Sequence, residues 1–87
     1  YTSGTTGKAK GSMMKHSNIL ATISGIYLHG FEFSENDVHL SYLPLAHVFE
    51  RVAVHTLTAF NASIGFYQGD ILKLTEDLAL LSPTIFI

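Results

Sequence analysis

Within its first twelve residues, Tyr1-Thr2-Ser3-Gly4-Thr5-Thr6-Gly7-Lys8-Ala9-Lys10-Gly11-Ser12, the chain places three glycines, six hydroxyl-bearing side chains and two lysines, with no acid among them. A segment so poor in aliphatic surface builds no core. It does offer what a polyphosphate needs. Glycines let backbone N–H groups come close to an anion, hydroxyls donate short hydrogen bonds, and lysine supplies a point charge. The other use of such a composition is a flexible Gly/Ser/Thr linker.

Spacing separates this stretch from two common nucleotide loops. A Walker loop needs Gly-x-x-x-x-Gly-Lys-Ser/Thr, but Ala9 stands five places after Gly4, and Gly7-Lys8 is followed by Ala9 rather than a hydroxyl. The dinucleotide pattern Gly-x-Gly-x-x-Gly fails as well, because Gly4, Gly7 and Gly11 are three and four residues apart. The run instead resembles the signature of adenylate-forming enzymes, approximately Tyr-Thr-Ser-Gly-Thr-Thr-Gly-x-Pro-Lys-Gly. Ten of its eleven places are compatible here. The departure is Ala9 in place of proline, which removes local rigidity and no ligand group. The resemblance implies that Thr2, Ser3, Gly4, Thr5, Thr6, Gly7 and Lys10 bind ATP through its β- and γ-phosphates, with Lys10 also in a catalytic role.

A second chemical stretch is Ser41-Tyr42-Leu43-Pro44-Leu45-Ala46-His47-Val48-Phe49-Glu50-Arg51. It runs from the end of an expected strand into an expected helix, the place where open α/β sheets seat ligands. Pro44 halts sheet pairing, and His47 at the mouth of the helix can face that crevice or serve as a satisfied structural group. The segment is similar to the Leu-Pro-Leu-Ala-His-x-Phe-Glu-Arg form of long-chain fatty acyl-CoA synthetases. That likeness implies that His47 sits near the carboxylate and the adenylate and helps to position them. Glu50 and Arg51 read as a solvated ion pair worth little. His55 lies two turns beyond His47, but helical zinc pairs need four-residue spacing and further ligands, so packing is the expected use. His16 matches the frequent His-x-Asn after the family loop and reads as structural. No metal ligand is expected in the chain, and His29 and His39 carry no usable pattern.

These stretches need elements to hold them. Met13–His16 reads as a brief strand or extended turn. Ile19, Leu20, Ile23, Ile26 and Tyr27 recur at helical spacing and predict a helix over 17–28, capped by Ser17 or Asn18 and stopped near Gly30. Alternation over 38–43 predicts a strand ended by Pro44. A helix is expected over 47–60, with Val48, Phe49, Val52, Ala53, Leu57 and Phe60 on one side. Its Val48, Phe49 and Val52 face would line part of a fatty-chain tunnel or, more simply, a core. A strand over 63–67 follows, then a Gln68-Gly69-Asp70 turn. A helix from Thr75, its cap, to about Leu81 is broken by Pro83 before a third strand over 84–87. This third stretch, from Gly65 to Thr84, also resembles the long-chain enzymes. The order predicts an α/β fold: a βαβαβ fragment of a larger, mostly parallel sheet with flanking helices, from the N-terminal domain of an adenylate-forming enzyme.

Composition narrows the setting. The chain of 87 residues is 47% hydrophobic and 14% charged, apolar enough to suggest the interior of a large α/β protein. The expectation is that residues 1–87 form a partial AMP-binding domain, incomplete at both ends, which alone is inactive and marginal in stability. A net charge of −2 argues against a general nucleic-acid partner. With no cysteine there is no thiolate metal site, and the chain fits a reducing, intracellular compartment. By resemblance the activity is a long-chain fatty acid:CoA ligase forming AMP, using ATP, Mg2+ and CoA with a fatty acid. The alternatives are another adenylate-forming branch or a non-catalytic homologue. Membrane association, at the cytoplasmic face of the endoplasmic reticulum, mitochondrial outer membrane or peroxisome, is likewise a family expectation carried by parts outside these residues.

Overall fold

The structure is a computed structural model that describes residues 1–3 and 7–87. The first turn of chain is an antiparallel hairpin: β1 (Thr2–Ser3) pairs with β2 (Ala9–Lys10), Thr2 opposite Lys10 and Ser3 opposite Ala9. Met13–Lys15 belongs to no strand among the described residues, and α1 (His16–Leu28) follows directly. Its N-cap is Lys15 rather than Ser17 or Asn18. An ammonium has no lone pair to cap with, so Asn18 Oδ1 takes over by accepting the Lys15 N–H at 2.8 Å. The helix closes in a Schellman turn, with Gly30 N–H donating to Tyr27 O and Phe31 N–H to Ile26 O.

The central element is β3 (Val38–Ser41), which runs parallel to β4 (Ser63–Phe66) with Val38 opposite Ser63 and Ser41 opposite Phe66. Between them runs α2 (Val48–Ala59), and Asn61, at φ 61°, turns the chain out of it. The strand expected over 38–43 stops at Ser41, because Tyr42 turns aside to donate its hydroxyl to Ile87 O and Pro44 has no N–H to pair. A short 3₁₀ turn (Ile71–Lys73), capped by Asp70 Oδ1 on the Leu72 N–H at 3.0 Å, leads into α3 (Leu74–Leu81). Thr75 is therefore inside the helix and caps nothing.

The third strand shrinks to one parallel bridge, His39 to Ile85, on the side of β3 away from β4. Thr84 explains the truncation. Its hydroxyl accepts the Val38 N–H at 2.9 Å and donates to Asp37 at 2.8 Å, so a side chain replaces the next rung of the ladder. The sheet is a short parallel one, and crossovers to opposite sides of β3 set α2 and α3 on opposite faces. Leu40 and Gly65 lie opposite each other in the register, on the face that α3 covers with Leu81. At Gly65 a Cβ would lie 2.6 Å from Leu81 Cδ2, so glycine is what allows α3 to sit so low on β4. On the other face α2 covers the sheet and α1 packs on α2, closed at one end by Phe33 edge-on to Phe60 at 5.7 Å and Tyr27 tilted against Phe60 at 6.1 Å.

Candidate functional site

The residues expected to carry chemistry fall on two stretches of the fold. The first is the β1–β2 hairpin. Lys10 projects from β2 opposite Thr2, and both Lys8 and Lys10 are exposed. Gly7 has φ +79°, a left-handed conformation that a side chain would strain, so the loop keeps glycine at that turn. Gly4, Thr5 and Thr6 lie outside the described residues, and the expectation that they hold phosphates rests on the sequence. Among the described residues, no hydrogen bond joins the hairpin to β3 or α2.

The second place is the passage from β3 to α2. His47 is the N-cap of α2: its Nδ1 accepts the Phe49 N–H at 3.2 Å. With Nδ1 used as an acceptor, the ring proton sits on Nε2, an outward donor on an exposed side chain. So His47 has a structural task and a free N–H at once. A histidine cap is uncommon beside Ser, Thr, Asp and Asn, and it pairs the capping acceptor with an N–H on the far edge of a rigid ring.

Below it the sequence expectation is corrected. Glu50 does not pair with Arg51 in solvent. It is fully buried and meets His39 Nε2 at 3.0 Å, and His39 is also fully buried. His39 Nδ1 lies 3.3 Å from Ile85 O, while Glu50 Oε2 is buried with no partner among the described residues. Arg51 turns the other way, onto a cavity shared with Lys15, His16 and His55. His39 was not legible as a site residue because a histidine in an alternating strand looks like any polar position. The usable signal was its place between Val38 and Leu40, on an inward face, with a lone acid in the first turn of the next helix.

Beside the His47 turn lies an almost wholly apolar cavity of about 400 Å³ between α1, α2 and the Ile85–Ile87 segment. Val48, Phe49 and Val52 line it, with Ile26, Phe33 and Ile87 across. The interior face of α2 is Glu50, Ala53, Thr56 and Leu57; of the expected apolar stripe, Ala53 and Leu57 are core while Val48, Phe49 and Val52 rim the hollow. Val48 and Phe49 remain 53% exposed. Among the described residues no group of three or more His, Asp or Glu is placed to hold a metal ion, and no helix is long and apolar enough to cross a membrane.

Comparison with known proteins follows the same lines as the motifs. The family model described as AMP-binding enzyme matches residues 1–87. Long chain acyl-CoA synthetase 6, peroxisomal, of Arabidopsis thaliana is 48% identical over 86 residues, covering 99% of this chain and 12% of that protein. Long-chain-fatty-acid--CoA ligase 6 of Rattus norvegicus is 44% identical over 93 residues, covering 99% of this chain and 13% of that protein. Fatty acyl-CoA synthetase B of Dictyostelium discoideum is 45% identical over 87 residues, covering 100% and 13%. The chain thus spans about an eighth of the length of these relatives. No solved structure matches it.

Proposed function

The chain belongs to the AMP-binding enzyme family, and on that premise we propose that it is a section of an ATP-dependent long-chain fatty acid:CoA ligase. The observation that carries this reading is the 44–48% identity, along essentially the whole chain, to proteins bearing that name. In this reading residues 1–87 are one piece of a larger AMP-binding domain whose mostly parallel sheet extends beyond β3 and β4.

A carboxylate is a poor acylating agent at neutral pH. In the reaction the fatty carboxylate oxygen bonds to the α-phosphorus of ATP and the bond to pyrophosphate breaks. The acyl carbon then passes to the CoA sulfur with release of AMP. Charge gathers on the departing pyrophosphate, so donors fixed around it act where the transition state needs them. The loop N–H groups, Thr2, Ser3, Thr5, Thr6 and Lys10 are suited to that task, with Gly4 and Gly7 letting the backbone close in. His47 offers its Nε2–H to the carboxylate or the adenylate. The cavity lined by Val48, Phe49 and Val52, on the helix that His47 caps, suits an acyl chain. A magnesium ion finds no ligand cluster among the described residues, so no step is assigned to it.

An intracellular setting, with the fatty acid reaching the site from a membrane, accompanies this reading. The test is fatty-acid-dependent exchange of labelled pyrophosphate into ATP by the full-length protein, compared across long-chain, medium-chain and aromatic acids. Exchange supported best by an aromatic acid would assign the protein to another branch of the family.

A further inference from the structure

His39 and Glu50 are fully buried, and the chemistry above uses neither. An exposed acid in the first turn of α2 would already be favoured by the helix dipole without losing its hydration. Glu50 is instead drawn inside, where one carboxylate oxygen meets His39 Nε2 at 3.0 Å and the other has no partner among the described residues. For such a pair the desolvation cost offsets most of the attraction, and an apolar pair of like volume would serve stability as well. What an apolar pair lacks is direction.

Direction is what this pair supplies. Ile85 O can only accept, so His39 Nδ1 carries a proton toward it across 3.3 Å. The contact between Nε2 and Oε1 then holds a further proton, on the ring or on the carboxyl. One imidazole thereby ties β3, the first turn of α2 and the segment at Ile85, and it stands in the sheet row between Ile64 and Ile85. Three residues before Glu50, His47 caps that same turn. A rotation or slide of the turn moves both.

We propose that His39 and Glu50 are positioning residues for adenylate formation: their buried bond fixes the first turn of α2 on β3 and so holds the His47 Nε2–H against the fatty carboxylate. This rests on the ligase reading above and adds to it the means by which the donor is held. A displacement of the order of 1 Å at a reacting group lowers a rate by about a hundredfold, so a loose first turn matters even where the protein stays folded.

The experiment uses the full-length protein and measures pyrophosphate exchange with palmitate alongside thermal unfolding. In the double variant His39→Leu/Glu50→Met the pair is removed without stranding a charge. It should melt no lower than the unaltered protein, keep its KM for ATP, and lose about tenfold to a hundredfold in kcat. Glu50→Gln, which can still donate to His39 Nε2, should restore most of the rate. In a His47→Ala background the double replacement should cost less than about twofold, because the group it positions is gone. Should the double variant fail to fold, Glu50→Asp, which keeps the charge and shortens the reach, must show the same dependence on His47. An undiminished kcat in the double variant, or the same loss with and without His47, would overturn the proposal. No exchange by the unaltered protein would defeat the ligase reading instead.

Discussion

Glu50 Oε1 lies 3.0 Å from His39 Nε2, inside a contact from which both residues exclude solvent completely. It joins the first turn of α2 to the middle of β3, eleven residues earlier in the chain. Glu50→Ala would leave a buried imidazole facing an empty site, and breaking one side of such a pair typically costs about 3–5 kcal/mol. Denaturant unfolding of the full-length protein should register that loss, with Glu50→Gln much milder. An equal loss for both would mean that the carboxylate charge, which Gln lacks while keeping the volume and a hydrogen-bond donor, is what Glu50 contributes.

His47 has a capping task and a free Nε2–H, and one substitution separates them. His47→Asn keeps a side-chain acceptor for the Phe49 N–H but loses the second ring donor. It should be as stable as the unaltered protein while adenylate formation falls. His47→Ala should lose the cap as well, at about 1 kcal/mol. Equal adenylation by the Asn variant and the unaltered protein would reduce His47 to a cap.

The loop reading predicts a split between the two half-reactions. Lys10→Ala or Thr6→Ala removes one charge-assisted hydrogen bond to the departing pyrophosphate, worth roughly 1.5–3 kcal/mol. Adenylate formation should slow by about tenfold to a hundredfold or more. Thioester formation from supplied acyl-adenylate should be less affected, and equal loss in both steps would count against the assignment.

Gly65 sets how closely α3 approaches β4. A methyl there would meet Leu81 Cδ2 at 2.6 Å, so Gly65→Ala should destabilise by about 1–3 kcal/mol. Pairing it with Leu81→Ala should recover part of that, as seen in denaturation midpoints of the two variants. Independent, additive effects would show that helix and strand relax apart without contact.

The hollow beside α2 makes a prediction about the acyl chain. Val52 lines it, and Val52→Phe would shorten it. Pyrophosphate exchange should then fall for palmitate and hold for octanoate. A uniform change for both acids would mean that the chain lies elsewhere.

Much of the fold was legible because its signals are local. Apolar spacing marked α1 and α2, Asn61 marked the end of α2, and Pro44 marked the exit from β3. The misses came from side chains standing in for backbone. Asn18 serves a lysine cap, Asp70 starts a 3₁₀ turn ahead of Thr75, and Thr84 occupies the rung that a third strand would have used. The His39–Glu50 bond was illegible for a different reason. Adjacent Glu50 and Arg51 suggest a pair with each other, and only the crossing of α2 over β3 shows that Glu50 faces inward and Arg51 away. The hairpin sets Lys10 opposite Thr2, and the phosphate-binding role of the loop rests on the sequence.

The most direct measurement is pyrophosphate exchange by the full-length protein with ATP, magnesium and a palmitate-like acid. Labelled pyrophosphate should enter ATP only when the fatty acid is present, and replacing Lys10 should cut that rate. Tight ATP binding without fatty-acid-dependent exchange, or exchange indifferent to Lys10, would contradict a loop that grips the triphosphate so that a fatty carboxylate can be activated.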